Sequence, residues 1–144
     1  MKEKKVLFPS DLEKVHDKLS EEYILMENPE IDKKIKSVSN ILSLNRYEDD
    51  KYIIFPVQSI NGLVDESSQM HNCVRSYYER VADVKSEVYF MREKNSIEKS
   101  FVTVEVRKGK IVQARSKYNG DVSDAVWKVL RKWEKSLVLI DEEE

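Results

Sequence analysis

Cysteine, histidine, glycine and proline are all scarce in this chain: one, two, three and three residues respectively among 144. The lone Cys73 excludes an internal disulfide and any zinc knuckle built on thiolate pairs, and it fits a reducing compartment. Neither a metal nor a cofactor is expected, and a cytoplasmic location is. No run approaches the ~18 apolar residues that cross a bilayer, and Met1-Lys2-Glu3-Lys4-Lys5 leads into Val6-Leu7-Phe8-Pro9 rather than a secretory core, so no membrane role is expected. Charge of one sign is lacking too: 25 basic against 27 acidic residues leave a net charge of -2, which does not steer the chain as a whole toward nucleic acid. The end, Asp141-Glu142-Glu143-Glu144, reads as a solvated tail. With 40% hydrophobic residues and no repeat or Gly/Ser linker, one domain over residues 1–144 is expected.

What is present is helical and strand-like periodicity. Ser10 and Glu13 form a capping box ahead of an apolar stripe at Leu12, Val15, His16, Leu19, Tyr23 and Met26, which predicts a first helix ending before Pro29. A second helix is predicted over residues 30–42, with Ile31, Ile35, Val38 and Leu42 inward. The segment from Tyr52 to Val57 has strand composition, and Ser59 or Asn61 is placed to cap a helix leading to His71. A short helix is expected over residues 74–81. Strands are then predicted over residues 87–92, 100–107 and 110–116, the last two joined by a tight Lys108-Gly109 turn. A final helix over residues 122–137 carries Val126, Leu130 and Trp133 on one stripe. The fold class is therefore α+β, an antiparallel meander of three to four strands packed with several helices.

Side chains alternate along a strand, so Val102, Val104 and Val106 define an apolar side, to which Val112 and Ala114 belong on the next strand. The opposite side carries Phe101, Thr103, Glu105 and Arg107, beside Ile111, Gln113 and Arg115. Cross-strand ion pairs on a half-exposed sheet would account for that polarity. It would instead floor a pocket if the segment from His71 to Tyr78 packed on it, since the buried polar groups would then need partners.

That segment, Met70-His71-Asn72-Cys73-Val74-Arg75-Ser76-Tyr77-Tyr78, concentrates the chain's reactive residue types. Cys73 is either a small core residue or, at the first turn of a helix near His71, an activated nucleophile. Two functions remain open. In the first, a binding protein recognises a protein or nucleic-acid partner through Arg75, Tyr77, Tyr78 and Arg92, joined by Thr103, Gln113, Arg115 and Asn119. In the second, an enzyme acts on a phosphate-containing substrate, with an arginine holding the anion and His71, Cys73 or Glu105 performing acid-base or nucleophilic work. No ligand spacing for a metal is present.

The order of Leu7-Phe8-Pro9, Asp11-Leu12 and His16-Asp17, then Tyr52-Ile53-Ile54 with Pro56, resembles the PcfJ-like family of phages and conjugative plasmids. The cysteine segment follows. Val88-Tyr89-Phe90-Met91-Arg92, Phe101-Val102-Thr103-Val104-Glu105-Val106 and Ile111-Val112-Gln113-Ala114-Arg115 with Asn119 complete the family's order. The chain resembles the family's C-terminal core. The resemblance implies an origin in a mobile element, a role in DNA transfer or phage-host conflict, and a partner from that element or its bacterial host. The family places His directly before Cys and Gly shortly after it; here Asn72 and Arg75 stand in those positions, which weakens an inherited Cys-His mechanism.

Overall fold

A computed structural model describes residues 29–139. The helix expected from the Ser10 and Glu13 capping box, and the acidic tail, lie outside them. Helix α1 (Pro29–Leu42) opens on a proline whose missing N–H costs nothing at that position, with Glu30 and Asp32 favourably placed in the first turn. Its inward residues Ile35 and Leu42 are buried, as their spacing predicts. Helix α2 (Ile60–Met70) is capped by Ser59, whose hydroxyl accepts from the Gly62 amide at 3.0 Å. The Asp32 carboxylate accepts from the Ile60 amide at 2.8 Å, tying the start of α2 to α1.

Five strands form one antiparallel sheet in chain order: β1 (Tyr47–Glu48), β2 (Tyr52–Pro56), β3 (Glu87–Glu93), β4 (Val102–Arg107) and β5 (Lys110–Arg115). This is the expected meander with one more strand than predicted. Strand β1 has only two residues, within a polar run that carries no alternation to read. The β4–β5 hairpin turns at Lys108 and Gly109, whose φ values of 52° and 77° suit a turn with two left-handed central residues. The helix expected over residues 74–81 divides into a 3-10 turn (Val74–Tyr77) and helix α3 (Tyr78–Ala82). Helix α4 (Asp124–Lys135) is shorter at both ends than predicted and begins at the Ser123 cap.

The two sheet faces bury different cores. One cluster joins Tyr89, Met91, Val102, Val104, Val106 and Ala114 to Leu130 and Trp133 of α4. Burying each such large apolar side chain contributes roughly 1.5–3 kcal/mol. The Trp133 indole remains satisfied, donating to the Asn45 carbonyl at 2.7 Å. On the opposite face Val88 and Phe90 meet Ile35, Ile60, Leu63, Val64, Val74 and Val81. That second cluster holds no residue from β4 or β5; on this face those strands carry Thr103, Glu105, Gln113 and Arg115, of which Glu105 is buried, Thr103 and Arg115 are half-buried and Gln113 is exposed.

A register shift between Glu105 and Val106 corrects the predicted facing on β5. Ile111, not Val112, pairs with Val106 and packs on the α4 side, while Val112 is half exposed. A bulge inserts one residue, so simple alternation fails beyond it. Phe101 likewise packs with the α4-side core and stacks on Tyr52 at 5.8 Å, rather than facing the polar side.

Candidate ligand-binding cleft

Between the connection after α2 and strands β4 and β5, a half-open cleft of about 110 Å³ remains. One wall is the connection after α2, contributing Asn72, Cys73, Val74 and Tyr77. The floor comes from the sheet, with Thr103, Glu105, Gln113 and Arg115, and Asn119 lies at the rim.

The wall is built by local hydrogen bonding. His71 ends α2 in a left-handed conformation (φ 54°), its amide donating to the Ser67 carbonyl. The Asn72 side chain accepts from the Val74 amide at 3.0 Å, the Ser67 hydroxyl donates to the Asn72 carbonyl, and Arg75 Nε donates to that hydroxyl at 3.2 Å. These bonds turn the chain sharply and aim Cys73 and Tyr77 toward the sheet. Cys73 is exposed rather than packed in the core.

The floor is polarised. Glu105 is 7% exposed. Its Oε2 accepts from Ser86 Oγ at 2.7 Å and from Arg107 at 3.0 Å, whereas Oε1 has no hydrogen-bond partner among the described residues. Glu105 pairs across the ladder with Gln113, and Thr103 with Arg115, so a carboxylate and a guanidinium occupy diagonal positions on neighbouring strands. No ion pair joins them among the described residues. Among the described residues the Arg115 guanidinium makes one hydrogen bond, at 3.4 Å to the carbonyl of Ala114. Glu105 is held back by Ser86 and Arg107, which leaves a negative and a positive end facing one small space.

Beside the floor, on the same side of the sheet, Glu66 binds the Arg92 guanidinium at 2.5 Å and accepts from Ser100 Oγ at 2.7 Å and Thr103 Oγ1 at 2.6 Å. Arg92 also lies over the rings of Phe55 and Phe90, at 5.6 and 5.0 Å from their centroids. This network pins α2 onto the sheet and orients Thr103. On the α4 side, Tyr89 donates to Glu87 Oε1 at 2.7 Å and accepts from Asn45 Nδ2 at 2.9 Å. Burial pushes the Glu87 carboxyl above its ordinary value, partly opposed by that tyrosine bond, and burial also raises the Tyr89 phenol.

The residues expected to form a site thus divide. Cys73, Tyr77, Thr103, Glu105, Gln113, Arg115 and Asn119 meet at the cleft. Arg92 is consumed by Glu66, Arg75 by Ser67 and its own surroundings, and Tyr78 packs against the helical core. His71 does not line the cleft; its ring stacks on Tyr118 at 4.5 Å with 12° between planes. Sequence reading missed Glu66, although an acidic residue beside the apolar Leu63 and Val64 is the signal that could have found it. It also missed Asn72 as a lining residue. No group of three residues suited to hold a metal occurs among the described residues.

The model of the PcfJ-like protein family matches residues 1–128. An uncharacterized protein of Listeria innocua, Lin1253/Lin1744, is 26% identical over 135 residues, which cover 92% of this chain and 30% of the relative. The chain thus spans about a third of the length of that relative. No solved structure matches.

Proposed function

This chain belongs to the PcfJ-like protein family, and we propose that it is a small accessory protein of a phage or conjugative element that binds a macromolecular partner. The partner's polar group is seated in the cleft between the α2 connection and strands β4 and β5. One observation carries the reading: side chains from three distant stretches converge there with Glu105 Oε1, most of the Arg115 donors and the Gln113 amide unbonded among the described residues. Water reaches these groups, and a partner that replaces it with directed bonds gains both affinity and orientation.

The rival reading, an enzyme acting on a phosphate-containing substrate, draws less support. Its histidine is stacked outside the cleft lining, and two of its three arginines are already engaged by Glu66 and Ser67. The test is affinity capture from a bacterial host with the wild-type chain and an Arg115→Ala/Gln113→Ala variant, followed by mass spectrometry and nucleic-acid sequencing. A partner retained by the wild type and lost with the variant is expected. A partner held equally by both would refute the cleft as the binding site.

A further inference from the structure

We infer that the cleft receives a single pyrimidine base of a single-stranded nucleic acid and prefers cytosine to thymine; this rests on the partner-binding reading above. The first argument is size. An enclosed aromatic six-membered ring fills a cavity of about 150 Å³; the half-open space of about 110 Å³ is smaller, so it admits one edge of such a ring and leaves the rest of the base, with its sugar, outside.

The second argument is the pattern of donors and acceptors. Glu105 Oε1 is a fixed acceptor at one end of the floor, and Arg115 presents donors at the other. Cytosine offers the complement, an exocyclic N–H donor beside two acceptors, and carboxylates are suited to accept from its N4 amino group. Thymine reverses that pattern, turning a carbonyl toward Glu105. A phosphate in the floor would meet the same carboxylate, so the base rather than the backbone belongs inside.

The third argument is the rim. Residues His71 and Asn72 lie on one side of the cleft's end and Tyr118 and Asn119 on the other, and the His71–Tyr118 stack joins the two segments. Both rings are exposed, Tyr118 to 67%. His71, Tyr118 and Asn119 all hold left-handed conformations, at φ 54°, 59° and 57°. An exposed aromatic stack flanked by a cation, here Lys117 at 5.6 Å from the Tyr118 ring, is a surface on which a neighbouring base continues the stack. Arg80, 4.9 Å from the Tyr77 ring, adds a second cation near the wall.

Fluorescence anisotropy with labelled dC and dT homopolymers of about twelve nucleotides, at fixed salt, tests the inference. Wild type should bind dC about tenfold or more tightly than dT. Glu105→Gln should bring that ratio close to one, and Tyr118→Ala should weaken both runs about tenfold alike. A thermal melt checks that Glu105→Gln is folded; if it is not, the exposed Gln113→Ala carries the test and should weaken dC binding. Equal wild-type affinity for dC and dT, or binding of neither, overturns the inference. In the latter case a captured protein partner that is lost with Arg115→Ala/Gln113→Ala leaves the broader reading standing, whereas absence of any cleft-dependent partner removes both.

Discussion

Replacing Arg92 by methionine keeps most of the side-chain volume between Phe55 and Phe90 but takes the counter-charge from Glu66. The Glu66 side chain is 0% exposed and that of Arg92 8%. The remaining donors to the carboxylate are the hydroxyls of Ser100 and Thr103. Breaking one side of a buried ion pair costs about 3–5 kcal/mol, because an uncompensated charge stays behind. Against a total of about 5–15 kcal/mol for a domain, that is a large fraction. At about 3–5 °C per kcal/mol, a two-state melt should fall by about 10–20 °C. The double variant Glu66→Met/Arg92→Met removes both charges and should recover much of the loss. It would keep a deficit of about 1–3 kcal/mol, because Ser100 and Thr103 lose their acceptor. Urea unfolding of the four proteins, read as a double-mutant cycle, gives the coupling directly. An Arg92→Met loss under about 1 kcal/mol, or a double variant as unstable as the sum of the singles, would refute a structural role for the pair.

Three further outcomes are expected. The raised Glu87 carboxyl means that the folded chain holds this proton more tightly than the unfolded chain. Its stabilising contribution is therefore complete below its ordinary value of 4.5 and is lost as pH rises through the raised value. Melts from about pH 4 to 8 should show wild type losing stability relative to Glu87→Gln as pH rises, and a difference that does not vary with pH would contradict the assignment. Because Cys73 is exposed at the cleft, a thiol reagent should label it in the native protein, and labelling only after unfolding would place it in the core instead. Ser123→Ala removes the cap that accepts from the Val126 amide at 3.3 Å and should cost about 1 kcal/mol in chemical denaturation; an unchanged midpoint would show that the bond contributes nothing.

The sheet and its helices were legible wherever one periodicity ran unbroken. Ile35 and Leu42 marked the inner side of α1, Ser59 marked the start of α2, and Lys108-Gly109 marked the hairpin, since each signal lies within a few residues of its partner. Reading failed where a distant group intervened. Arg92 was expected at a recognition surface because guanidinium suits anions; the anion it meets is Glu66, 26 residues earlier. Ile111 and Val112 exchanged roles through one bulge, which has no composition of its own on β5.

The sequence by itself determined the α+β class, the antiparallel meander and the polar character of one side of β4, because backbone geometry converts local spacing into faces. Which of those polar groups would be satisfied was decided only by tertiary structure. Ser86 and Arg107 hold one oxygen of Glu105, the α2 connection roofs part of the floor, and the apolar cluster on that face includes no residue of β5. A side chain's chemistry is written in its residue type, but its availability depends on bonds made by residues far away in the chain, and in this protein those bonds separate Arg115 from Arg92.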